Sequence, residues 1–154
     1  MSTMKSISID FIKQNNVDQL IPLCALHSEY ERVPFDPKGK EESLTHNLFK
    51  ENPALFCLVA MKDQEMLGYA SYMIQFSTWD ACPYIYMDCL YLLEHCRGFG
   101  IGQQLMERIA EEAQKLKITE IQWQTPTFNT RAIKFYDRTG GKSKSKKRYF
   151  LEVL

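Results

Sequence analysis

Apolar residues fall at every second position in residues 5–11, with Ile7, Ile9 and Phe11 on one side, and the alternation predicts a first strand. The spacing then lengthens. Leu20, Leu23, Cys24 and Leu26 make a helical stripe that reaches about Tyr30, with Asn16 placed to cap it and Gln19 three residues on as a capping-box partner. Pro22 inside the stripe predicts a kink or a late start. Residues 33–39 are a loop by composition, and residues 40–50 a short amphipathic helix carrying Leu44, Leu48 and Phe49. Beyond it the pattern turns β-rich: residues 55–61 and 67–76 flank the polar turn 62–65 as a hairpin, and residues 84–92 form a third, aromatic strand. Residues 102–116 are an amphipathic helix with Leu105, Met106, Ile109, Ala110, Ala113 and Leu116 on one face. A strand at 118–124, a helix at 129–139 stopped by Gly140-Gly141, and a terminal strand at 149–154 complete the chain. The order β-α-α-β-β-β-α-β-α-β reads as an α/β layered domain, and 154 residues suffice for a single domain over 1–154.

Composition narrows the class. Apolar residues at 45% and aromatics at 12% support a proper core and exclude a disordered or collagen-like chain. No apolar run reaches the roughly 20 residues of a membrane span, and the first ten residues hold no continuous apolar stretch. The expectation is a cytoplasmic protein with no membrane partner. Nineteen basic against nineteen acidic residues leave no global field for nucleic acid. The charge is nonetheless uneven: residues 142–148 hold five positive charges and no negative one, leaving fourteen against nineteen on the rest. Five cysteines without a C-x-x-C pair, and three histidines without metal-ligand spacing to them, point to reduced thiols and no metal site.

The chemistry concentrates in Arg97-Gly98-Phe99-Gly100-Ile101-Gly102, between the third strong strand and the long amphipathic helix. Three alternate glycines let the backbone turn sharply, and a helix N-terminus behind such a turn binds phosphate. A dinucleotide fingerprint would need a glycine where Gln103 stands, and no Gly-Lys-Ser/Thr follows for a Walker loop. Arg97-x-x-Gly100-x-Gly102 resembles the R/Q-x-x-G-x-G/A signature of the GNAT superfamily of acetyl-CoA-dependent N-acetyltransferases, and Asn129-x-x-Ala132-x-x-Phe135-Tyr136 resembles that family's second motif. Phe76-x-Thr78-x-Asp80, Tyr86-Met-Asp88 and His27-Ser-Glu-Tyr30-Glu31 look like its diamine (spermidine/spermine-type) acetyltransferase branch.

The resemblance implies a GNAT-like fold, with a central mixed, mostly antiparallel sheet and helices on both faces. It implies acetyl-CoA as co-substrate, a small-molecule amine as acceptor and a homodimer. Leu90, Tyr91 and Leu92 would offer backbone groups to the pantetheine arm and an oxyanion donor; Gly98, Phe99, Gly100, Ile101, Gly102 and Gln103 would hold the pyrophosphate, with Arg97 of the same signature also on the cofactor, and Asn129 would help seat it. Tyr136 falls on the family's general-acid tyrosine. An aliphatic amine has a pKa near 10, so a base must act; Asp88, where the branch has a glutamate, favours a water relay. His27, Glu29, Glu31, Asp80 and Asp88 are the acceptor-side candidates, with Glu29, Glu31 and Asp80 as an anionic rim for an ammonium group. Cys89 and Cys96 lack a placed activating partner apart from His95, so direct transfer in a ternary complex is expected. The basic run 142–148 departs from the branch, which tends to be acidic there. It would repel a long polyamine and shifts the acceptor towards a smaller amine or an amino acid, or serves the 3′-phosphate of coenzyme A. A protein or aminoglycoside N-acetyltransferase, and a non-catalytic acetyl-CoA or amine sensor of the same fold, stay open as alternatives.

Overall fold

Five strands form one sheet in chain order: β1 (Ser8–Phe11), β2 (Phe56–Lys62), β3 (Glu65–Ser77), β4 (Cys82–Leu92) and β5 (Ile121–Gln122). The structure is a computed structural model and describes residues 6–154. The first four strands pair antiparallel. At the β2–β3 hairpin Asp63 and Gln64 both adopt positive φ, a two-residue turn whose twist matches that of the strands it joins. A helix separates β4 from β5, and the crossover makes that pairing parallel.

The strand period divides the core. Cys57, Val59, Tyr69 and Tyr91 cluster with Val17, Leu20 and Leu23 of α1 (Val17–Tyr30) and with Leu48 of α2 (Lys40–Phe49). Leu58, Ala60 and Ala70 alternate with them and are fully buried, and α3 (Ile101–Lys115) packs across the sheet with Leu105 and Ile109 fully buried. Arg108 fastens α3 to the edge strand: it donates to the Ile9 carbonyl at 3.1 Å, pairs with Asp10 at 3.6 Å and lies over the Phe11 ring. Lys115 and Arg108 hold the Glu112 carboxyl below its usual range, against its partial burial.

The chain divides into two compact units, Met1–Gln124 and Thr125–Leu154. All of the sheet lies in the first. The second contains α4 (Thr130–Arg138), whose Ala132, Ile133, Phe135 and Tyr136 are half-buried while Arg131, Lys134, Asp137 and Arg138 are exposed. Asn129 caps it, accepting from the Ala132 N–H. Gly140, at φ +98°, donates to the Asp137 carbonyl and Gly141 to that of Tyr136, a Schellman end that only a residue without a Cβ adopts freely.

Five local expectations differ. Residue 5 of the first strand lies outside the described residues, and that strand begins at Ser8. Gln19 does not close a capping box on Asn16. It reaches to the β2–β3 turn, donating to the Gln64 carbonyl and accepting from the Met66 N–H, while Asn16 accepts from the Lys13 N–H. The helix runs through Pro22 from Val17 without the late start. β5 is two residues long instead of seven, and residues 149–154 form no strand: Tyr149, Phe150 and Leu151 stand exposed side by side, with no ladder to alternate against. Among the described residues, no helix is long and apolar enough to cross a membrane.

Gly68 fixes how closely β3 and β4 approach. A Cβ there would strike the Leu92 side chain and come within 2.7 Å of the Tyr91 carbonyl oxygen. The backbone oxygen cannot rotate away, so Gly68→Ala should destabilise the fold by about 1–3 kcal/mol, read as a lowered urea midpoint with an unchanged slope. An unchanged midpoint would mean that β4 moves freely against β3.

Candidate active site

Pairing between β3 and β4 slips by one residue part-way along. Ser71 faces Cys89 and Tyr72 faces Met87, so Asp88 is the extra residue of a β-bulge. β5 pairs with β4 only at Ile85 and Tyr86, just before the bulge. Past it, among the described residues, no strand pairs with the second edge of β4. Leu93 N–H donates to the Leu67 carbonyl at 2.9 Å. Strand alternation therefore turns the backbone groups of Leu90 and Leu92 to the open edge and those of Tyr91 towards β3. Of the three residues expected to bind through their backbone, two face outward.

The open edge runs through a short 3-10 turn, Glu94–Cys96, into the glycine loop. Gly98 and Gly100 have φ of +89° and +80°, and a Cβ on either would meet nothing within 4 Å. They are needed for the left-handed turns, not for packing. Gly100 is the N-cap of α3, no side chain caps that end, and no acidic residue sits in its first turn. The N–H groups of Ile101, Gly102 and Gln103 thus lack intrahelical acceptors at the positive end of the helix dipole, with no carboxylate to neutralise it. Phe99 is exposed at the crest of the loop.

Arg97 behaves differently from its neighbours. Its Nε donates to the Leu92 carbonyl at 3.1 Å, and its guanidinium lies over the rings of Tyr30 and Tyr91. It braces the loop against the end of β4 and α1.

On the α1 side, His27 Nε2 is 2.9 Å from Glu31 Oε2, Nδ1 is 3.0 Å from the Tyr69 hydroxyl, and the ring stacks on Tyr91 at 5.2 Å. Cys24 and Cys89 hydrogen-bond around the same Tyr69 hydroxyl, and Cys89 Sγ reaches Asp88 Oδ2 at 3.8 Å. His27, Glu31 and Asp88 therefore share one network. Glu29 is exposed on the same helical end. Asp80 is not with them: it pairs with Ser77 at the tip of the β3–β4 hairpin. Six strand residues at roughly 3.3 Å each put that tip on the order of 20 Å from the bulge. Tyr69 escaped the sequence reading because a tyrosine in an apolar run reads as core, and no local signal marks its hydroxyl.

Asn129 and Tyr136 lie in the second unit. Asn129 is buried, accepting from Ala132 N–H and donating to Thr125 Oγ1. Tyr136 packs its ring against Phe135 on the half-buried side of α4.

Burial pushes the Cys89 thiol up to about 12, helped by the negative charge of Asp88, and it raises the thiols of Cys24, Cys57 and Cys96 as well. A raised thiol stays protonated at neutral pH and is a poor nucleophile.

A strand that opens at a bulge and leads into a glycine-rich helix start carries the family signature on its backbone. The Acetyltransferase (GNAT) family model matches residues 20–141. The chain belongs to the GNAT acetyltransferase family. It is 28% identical over 147 residues to the thialysine N-epsilon-acetyltransferase of Sus scrofa, covering 90% of this chain and 86% of that protein. A D-amino-acid N-acetyltransferase of Saccharomyces cerevisiae is 29% identical over 79 residues, 51% of this chain and 49% of that one. Among solved structures, an integron cassette protein from the mobile metagenome of V. cholerae superposes with a TM-score of 0.78 at 25% identity, over 97% of this chain and 93% of that one. The aminoglycoside acetyltransferase AAC(6')-Iy, solved with a coenzyme A bisubstrate analogue, shares the fold at a TM-score of 0.80 and 16% identity, over 96% and 99%. This GNAT protein is an N-acetyltransferase, as the family and the thialysine acetyltransferase relatives establish.

With its thiol protonated, Cys89 should be dispensable. Cys89→Ala is expected to keep kcat within about threefold, and mass spectrometry of the wild type after acetyl-CoA should find no acetyl group on cysteine. An acetylated Cys89, with loss of turnover in the variant, would establish a covalent intermediate.

Proposed function

We propose that this chain moves an acetyl group from acetyl-CoA to the primary amine of a small molecule by direct attack in a ternary complex. The observation that carries the reading is the open edge of β4 running into an uncapped, acid-free helix start. The outward groups of Leu90 and the Leu92 N–H suit the amides of a pantetheine arm, while the Leu92 carbonyl is held by Arg97. The N–H groups from Gly98 to Gln103 suit a pyrophosphate. No metal is required by this chemistry.

Asp88 stands at the bulge, exposed, where the strand turns its side chain out of the regular alternation. It takes the proton from the incoming ammonium, through a water. The neutral amine attacks the thioester carbonyl, the C–N bond forms, and the oxyanion is met by a backbone N–H of the open edge. As the C–S bond breaks, Tyr136 donates its phenolic proton to the thiolate. Asn129 shapes the start of the helix that carries Tyr136.

The acceptor is an amino acid or an analogue with a side-chain amine, in preference to a long polyamine. The cationic run at 142–148, fully exposed, disfavours a polycation, while Glu29 and Glu31 at the end of α1 attract a single ammonium. The thialysine and D-amino-acid specificities of the relatives agree with this choice. Thiol release with putrescine, spermidine, thialysine, lysine, other amino acids and an aminoglycoside tests it. Thialysine or an amino acid is expected to exceed spermidine at least about tenfold in kcat/KM, and Tyr136→Phe to lower kcat at least about tenfold. Release unaffected by that substitution would remove Tyr136 from the mechanism. No release with any amine, despite measurable coenzyme A binding, would favour a sensor.

The chain acts as a homodimer. Tyr149, Phe150, Leu151, Val153 and Leu154 are each more than four-fifths exposed, an apolar segment whose backbone joins no ladder. A second copy is the partner that covers it. Light scattering should give twice the chain mass, and removal of residues 149–154 should give the monomer; an unchanged dimer after truncation would place the interface elsewhere.

A further inference from the structure

Sequence reasoning places His27 on the amine side of the reaction. Its surroundings assign it other work. Both ring nitrogens are taken, Nε2 by Glu31 at 2.9 Å and Nδ1 by the Tyr69 hydroxyl at 3.0 Å, so neither is left to meet a substrate. One face of the ring is stacked on Tyr91, 5.2 Å between centroids and 22° from parallel. Tyr91 in turn lies under the guanidinium of Arg97 at 5.3 Å, and Tyr30 at 5.0 Å takes part in the same sandwich. Arg97 is the residue immediately before Gly98, and its Nε holds the Leu92 carbonyl.

We propose that His27 is a positioning residue for the cofactor loop: locked by Glu31 and Tyr69, it fixes the Tyr91 ring on which the Arg97 guanidinium rests, and Arg97 sets the entrance to the glycine turns. The physical need is clear from the loop itself. Gly98 and Gly100 have no side chains, and a Cβ on either would meet only open space, so no side-chain packing holds the two turns in place. Its N–H groups converge on an anion only if the residue before it is pinned. Arg97 is pinned twice, by a hydrogen bond along β4 and by the aromatic surface across it. The hydrogen bond alone leaves the guanidinium free to swing about Leu92. The stacked Tyr91 removes that freedom, and His27 removes that of Tyr91.

The array also joins α1 to the loop. Because Glu29 and Glu31 sit at the end of that helix, an amine bound there and a cofactor bound at the loop act on the same stack. The two affinities are then coupled reciprocally. This inference rests on the reading of the loop as the coenzyme A site, and the experiment separates the two.

Coenzyme A is titrated calorimetrically into wild type, His27→Gln, His27→Phe and Glu31→Gln, with thermal melts to confirm folding. In parallel, 15N relaxation of the Gly98 to Gly102 amides is recorded without ligand. His27→Gln keeps a polar side chain and loses the stack. It should bind coenzyme A at least about fivefold more weakly, raise the KM for acetyl-CoA to match, leave kcat within about twofold, and lower the order parameters of the loop amides. His27→Phe keeps an aromatic face for Tyr91 but loses both locking hydrogen bonds; it should weaken coenzyme A binding about twofold to fivefold, less than His27→Gln. Glu31→Gln, on a partly exposed side chain, folds even if the His27 variants do not, and should weaken coenzyme A binding about twofold to fivefold. Wild-type binding with no change in Glu31→Gln and His27→Gln overturns the positioning role. So does a rise in the amine KM alone, which would return His27 to the acceptor side. Wild type that fails to bind coenzyme A overturns the reading of the loop, while the order parameters still show whether the stack holds it.

Discussion

One strand has to satisfy two incompatible demands. β4 pairs with β3 over its whole length, which the core requires, yet it must let go of β5 after two residues for its second edge to open. A regular strand cannot do both, since its twist would carry β5 along with it. The extra residue at Asp88 resolves the conflict by adding bend and twist at one point. It changes which backbone groups face outward, ends the usefulness of β5 as a neighbour, and puts a carboxylate at the bend. Gly68 belongs to the same solution, because only its missing Cβ lets β3 stay close to Tyr91 and Leu92 beyond the bulge.

The electrostatics of the first unit follow from that geometry. The helix start keeps the positive end of its dipole unneutralised, since the first turn of α3 holds no acidic residue, and Arg97 adds a cation just before the loop. The acidic groups gather on the other side of β4, at Asp88 and at the end of α1. Between them lie groups that burial keeps neutral: Tyr69, Cys24 and Cys89 are all shifted away from ionisation. On the proposed reading, this uncharged layer separates the cofactor's phosphates from the ammonium of the acceptor and keeps the two sites from cancelling each other. The same burial keeps the Cys24 and Cys89 thiols protonated beside Asp88, which on the proposed reading leaves them out of the chemistry.

Much of this was readable from the residues. Glycines at 98 and 100 supply the left-handed turns, and the long apolar stripe after them requires a helix, so the loop and α3 follow directly. Gly140-Gly141 announced the end of α4, and Asn129 its start. The bulge was not readable. It arises from register between two strands, and no single residue marks it; Asp88 looks like an outward strand residue until Ser71 and Tyr72 are seen facing Cys89 and Met87. Gln19 misled because its side chain has two strong partners within reach. The capping box is local, whereas the β2–β3 turn lies 45 residues away and offers both a carbonyl and an N–H. Residues 149–154 misled for a simpler reason: β-rich composition predicts a strand only where an edge exists for it to join.

The division between what could and could not be read follows the chemistry. On the proposed reading, cofactor recognition is work for the backbone, and backbone conformation is written in glycines and helix starts, which sequence displays openly. On the same reading, acceptor recognition falls to side chains from α1, β3 and β4, and their meeting depends on tertiary register. His27 shows the difference most sharply. In the sequence it lies beside Glu29 and Glu31 and is grouped with them as an amine-side residue. In the fold its neighbour of consequence is Tyr91, 64 positions away, and through it Arg97. A histidine with both nitrogens bonded and one face covered has no lone pair to offer a substrate, whatever its neighbours in sequence, so its contribution is rigidity. That rigidity is directed at the one segment of the site whose glycines give it none.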